Sequence, residues 1–154
     1  MKLKRVLGTA VLAFAVFSMG YGARDAVELK GAAEASRASR KLEIRFLSLE
    51  DGYCGTCHRM RERLKLSMGG PLGDLLLNGE AEILQVDLGK DGNYRLLKRY
   101  GATGAGILLL LRNHEGEESR FLKEAPLHLS SQEEFDRYLM KEVEHMLQQG
   151  GSPR

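Results

Sequence analysis

Apolar and polar positions change their period along the chain, and each change marks an element. From Leu42 to Leu49 (LEIRFLSL) they alternate, with Leu42, Ile44 and Phe46 on one face, which predicts a strand. Between Cys57 and Met68, Met60, Leu64 and Met68 recur at four-residue spacing among charged side chains. That predicts an amphipathic helix, which Gly69-Gly70-Pro71 ends. A short helix is expected over Pro71–Leu77, a strand over Glu82–Leu88 (EILQVDL), and a helix around Asn93–Tyr100 carrying Leu96 and Leu97. Gly101–Gly106 (GATGAG) reads as a turn. Ile107–Leu111 (ILLLL) is a continuous apolar run, too short for an ordinary helix, and fits a strand buried on both faces. Asn113–Gly116 (NHEG) carries hairpin-turn residues, so Glu118–Lys123 is expected to return antiparallel. A last helix runs from Gln132 to about Gln148, with Ser131 and Glu134 as a capping box. Its apolar face is Phe135, Leu139, Val143 and Met146. The order β–α–(α)–β–α–β–β–α implies a central mixed sheet covered on both faces. No internal repeat is visible.

The N-terminus follows neither period. Lys2, Lys4 and Arg5 precede an apolar run from Val6 to Met19, the charged and apolar regions of a secretory signal. The run is short for a spanning helix, which needs about 20 residues. Residues 1–23 are therefore expected to be a signal peptide or membrane anchor, placing the protein outside the cytoplasm, in a periplasm, soluble or tethered to the inner membrane. Residues 24–40, rich in Ala, Ser and charge, read as a flexible linker. Residues 41–149 form the expected folded domain.

Composition narrows the choice of partners. With 43% hydrophobic and 29% charged residues the chain is ordinary for a globular protein. Its net charge of +2 is too small to argue for nucleic acid, and no basic stripe is interleaved with aromatics. The series Arg59, Arg61, Arg63 and Lys65 reads as a solvated helix face; its other reading is a surface that steers an acidic partner.

Chemistry concentrates at the two cysteines, Cys54 and Cys57. A bridge across two intervening residues constrains little of an unfolded chain, so the pair reads as chemical rather than structural. Cys54 falls where a strand hands over to a helix, and the unpaired N–H groups and dipole there favour its thiolate, the nucleophile of disulfide exchange. Cys57, one turn later, can reach back and resolve a mixed disulfide. Gly55 and Thr56 are small and leave the sulfurs open to a partner.

The run YCGTCHRMRERL after LEIRFLS, then EILQVDL, then KRYGATGAGILLLL and NHEGEE, resembles the thioredoxin superfamily, and its exported thioredoxin-like members most. The resemblance covers about Lys41 to Gln148. It implies an α/β thioredoxin-like fold, a central mixed sheet flanked by helices. It also implies a redox-active Cys54–Cys57 disulfide with Cys54 attacking and Cys57 resolving, and no further cofactor. Tyr53, Gly55, Thr56, Ala105 and Gly106 are the implied substrate-binding residues, with His58 modulating the thiolates. Substrates would be disulfides of exported proteins, and a membrane reductase or oxidase would be the redox partner.

Three positions depart from the family pattern. Gly106, or its neighbour Ala105, stands where the family has a cis-proline facing the cysteines, so this loop is expected to be trans. Tyr53 replaces a Trp. Ser48 stands where many members bury an acid, leaving Glu50, Asp51 or water to move a proton at Cys57.

Two rival chemistries use the same residues. Cys54-Gly-Thr-Cys57-His58 matches CxxCH, the c-type haem attachment signature. Haem also needs an axial ligand, and Met60, Met68, His114, His128 and Met146 form no marked motif. Cys54, Cys57 and His58 are also soft ligands suited to copper binding and delivery. A closed zinc site is not expected, since it wants four ligands. In a non-catalytic alternative, the domain is a binding module and its cysteines are vestigial.

Overall fold

The computed structural model describes residues 40–49, 54–114 and 116–149; the expected signal or anchor (1–23) and all but the last residue of the expected linker (24–40) lie outside the described residues. The elements are β1 (Lys41–Ser48), α1 (Gly55–Met68), α2 (Gly73–Leu77), β2 (Ala81–Asp87), α3 (Arg95–Tyr100), β3 (Gly106–Asn113), β4 (Gly116–Phe121), a 3-10 turn (Ala125–His128) and α4 (Gln132–Gln149). The strands form one sheet in the order β2-β1-β3-β4. β1 runs parallel to β2 and antiparallel to β3, and β3 is antiparallel to β4. This is the central mixed sheet flanked by helices, thioredoxin-like in arrangement, that the element order and the resemblance both imply.

Alternation along β1 and β3 divides the core in two. Leu42, Ile44 and Phe46 of β1 and Ile107, Leu109 and Leu111 of β3 pack with Met60 and Leu64 of α1 and Phe135, Leu139, Val143 and Met146 of α4. On the opposite face Leu47, Leu108 and Leu110 pack with Leu88, Leu97, Tyr100, Ala102 and Phe121. Gly106–Leu111 is buried throughout, as a strand covered on both faces must be.

Several boundaries differ from expectation for identifiable reasons. α1 begins at Gly55, two residues before the expected start at Cys57, because Cys54 caps it. Met68 is 42% exposed, and Ser67 is buried in its stead. Four residues span more than one 3.6-residue turn, so the stripe from Met60 drifts by about 40° per step and has left the core by Met68, whereas Ser67 sits only about 20° off. β4 begins at Gly116 instead of Glu118, since the Asn113 Oδ1 accepts from the Gly116 N–H at 2.9 Å and closes the turn early. At α4 the capping box is half formed. Ser131 Oγ accepts the Glu134 N–H at 3.1 Å, but the Glu134 carboxylate is held by Ser130 Oγ and by His128 Nδ1. Among the described residues no helix is long and apolar enough to cross a membrane.

Candidate redox site

β1 ends at Ser48, and six residues later Cys54 opens α1. Cys54 has extended backbone (φ −123°, ψ 100°) and serves as the helix N-cap. Its Sγ accepts the Cys57 N–H at 3.1 Å, and its carbonyl accepts the His58 N–H at 2.9 Å. A sulfur in this position takes the part usually played by a Ser or Asp side-chain oxygen, satisfying one of the first-turn amides. The same N–H favours negative charge on Cys54 when the bridge is open. No acidic side chain lies in the first turn to oppose it.

Cys54 and Cys57 are joined as a disulfide, their Cα atoms 5.2 Å apart. The two sulfurs are not equivalent. Cys54 is exposed, while Cys57 is half-buried and packs on the core beneath α1. Of the two sulfur-bearing residues, Cys54 is therefore the more accessible from solvent. Gly55 is exposed with open space around its Cα, and Thr56 is half-buried. His58 is exposed.

Gly106 opens β3, paired with Leu47 near the end of β1. It is buried, and a β-carbon there would lie 2.9 Å from two ring atoms of Phe121. Ala105 lies half-buried in the bend before it. The described residues contain no cis peptide bond, so the Ala105–Gly106 bond is trans. Tyr53, Glu50 and Asp51 fall outside the described residues. Of the sulfur and imidazole groups weighed as axial ligands, Met60 and Met146 are buried in the core, and His128 stacks on Tyr138 with ring centroids 4.3 Å apart. Among the described residues no group of three or more His, Cys, Asp or Glu side chains is placed to hold a metal ion.

One side chain at the site departs from its reading in the basic series. Arg61 does not lie on a solvated face. It is half-buried, its Nη2 donates to Ser48 Oγ at 3.4 Å, and its guanidinium lies 5.6 Å from the Phe46 ring centroid. Ser48 is fully buried. The spacing carried the signal: Cys57, Met60, Arg61 and Leu64 stand at i, i+3, i+4 and i+7, the inward stripe of a helix.

No protein-family model and no curated protein matches the chain. Among solved structures it is similar to thioredoxin from Fasciola hepatica, at 16% identity over 73% of this chain and 93% of that chain, with a TM-score of 0.36.

Proposed function

We propose that the protein is an extracytoplasmic thiol–disulfide oxidoreductase that exchanges its Cys54–Cys57 pair with cysteines of exported proteins. The observation that carries the reading is the asymmetric disulfide at the start of α1. The exposed sulfur caps the helix and accepts an amide N–H, and the half-buried sulfur stands one turn behind it.

In the reductive direction, the Cys54 thiolate attacks a substrate disulfide, one substrate sulfur leaves as thiolate, and a mixed disulfide forms. Cys57 then attacks Cys54 Sγ, releasing the second substrate sulfur and closing the Cys54–Cys57 bridge. Two electrons pass to the substrate, and a membrane reductase returns them to the pair. With a membrane oxidase the cycle runs in reverse. The cationic and apolar pattern of residues 1–23 supports export of the domain, either released or tethered.

Turnover of a disulfide substrate such as insulin, with a thiol reductant regenerating the pair, tests the reading. The intact chain is expected to accelerate the reduction and Cys54→Ser to lose the acceleration altogether. Full activity in Cys54→Ser would refute it.

A further inference from the structure

Arg61 is difficult to explain as packing alone. A cation taken partly out of water is costly unless a carboxylate or a full set of acceptors receives it. Among the described residues no carboxylate pairs with it. Its one hydrogen bond among the described residues is to a neutral hydroxyl, it lies over an aromatic ring, and its Nε is buried without a partner there. The acids flanking this side of α1 are engaged elsewhere: Asp87, the register partner of Ser48 on β2, accepts the Gly89 N–H at 2.9 Å, and Asp136 of α4 is held by Ser67 Oγ and by Gln132 Nε2 at 2.8 Å. Buried groups left unsatisfied in this way are concentrated where function demands them.

The place of the guanidinium suggests what would satisfy it. Arg61 follows Cys57 by four residues, so the two side chains share one side of α1. Helical side chains lean toward the N-terminus, which carries Arg61 toward the cysteine end, where it meets Ser48 at the last position of β1. In the disulfide neither sulfur carries a charge for it to face. Once the bridge opens, Cys57 becomes a half-buried anion on the same side.

We infer that Arg61 is a positioning residue that favours the Cys57 thiolate and so makes the pair an acceptor of electrons, suited to oxidising substrate dithiols. The inference rests on the exchange reading above and adds its direction. A substrate thiolate attacks Cys54 Sγ, the Cys54–Cys57 bond breaks, and Cys57 leaves with the electron pair beside the guanidinium. A second substrate thiolate attacks the substrate sulfur of the mixed disulfide and releases Cys54 as a thiolate. The substrate dithiol loses two electrons and ends as a disulfide, and the protein gains them as a dithiol. A pair whose reduced form is stabilised is the stronger oxidant. A buried acid at position 48 would oppose this by repelling the thiolate, and Ser48 does not.

The test is the ratio of reduced to oxidised protein in glutathione buffers of fixed composition, read by alkylation and intact mass on the full chain. One charge acting over a helical turn at a half-buried site is worth about tenfold in that ratio. Arg61→Met is expected to lower the reduced-to-oxidised ratio by about that factor, and Arg61→Lys to retain most of it. Ser48→Asp, which keeps Arg61 in place and neutralises it, is expected to shift the ratio the same way and gives a second reading if Arg61→Met fails to fold. Unchanged ratios in folded Arg61→Met or in Ser48→Asp would overturn the inference and leave the exchange reading standing. A wild-type pair that never equilibrates with glutathione would overturn both.

Discussion

A β-carbon at position 106 would stand 2.9 Å from Cε2 and Cζ of Phe121, closer than van der Waals contact permits. Glycine is thus required by the ring packed over the start of β3, whatever loop conformation a proline would have imposed. Gly106→Ala is expected to destabilise the fold by about 1–3 kcal/mol, the usual cost of overpacking, because Phe121 must swing out of the second core cluster. Denaturant unfolding of the variant, with an unchanged m-value, checks this; wild-type stability would contradict it. Arg61 shows the converse at the same scale. A charge in a run of charges reads as solvated, and only its register with Cys57 and Met60 marks it as inward. The Cys54–Cys57 pair was legible from spacing alone, but the Ser48–Arg61 contact joins two elements and needs the packing of α1 on β1 to appear.

At the scale of elements, the β3–β4 hairpin is tied to α3 by charge. Arg112 Nε donates to Glu117 at 2.9 Å, Tyr100 Oη donates to the same carboxylate at 2.9 Å, and Arg99 pairs with it at 3.3 Å. Arg112 also pairs with Glu43, which is only 3% exposed and is held by Arg45 as well. The Arg112 hydrogen bond holds the Glu117 carboxyl below the usual carboxylate range, with Tyr100 acting in the same sense. A folded-state pKa below the unfolded value means that the stabilisation is fully present above the unfolded value, and is lost as pH falls through the folded one. Glu117→Gln is therefore expected to lower stability near neutrality by on the order of 1 kcal/mol or less and to flatten the acid limb below about pH 5. Unfolding curves between pH 3 and pH 7, on the order of the carboxylate titration range, measure it. Acid limbs that superimpose would contradict it. Element order and type were legible because periods of two and 3.6 are properties of single segments. The start of β4 and the fate of Met68 were not, since a side chain closing a turn and the drift of a four-residue repeat act against the simple pattern.

For the whole molecule, topology places the chemistry. Parallel pairing of β1 with β2 and antiparallel pairing of β1 with β3 put the ends of β1 and β2 and the start of β3 at one end of the sheet. That end receives Cys54 and the first turn of α1, with Gly106 at its border and Ser48 beneath. The residue at its surface is the exposed Cys54, with the half-buried Cys57 behind it, and this asymmetry is the basis of the proposed order of attack. The account's central claim is that order, and the most direct measurement is intact mass after reaction with glutathione disulfide. Reduced Cys57→Ser is expected to trap one glutathionyl adduct on Cys54 that a thiol reductant removes, while reduced Cys54→Ser reacts far more slowly. No adduct in Cys57→Ser, or equal trapping by the two variants, would contradict it.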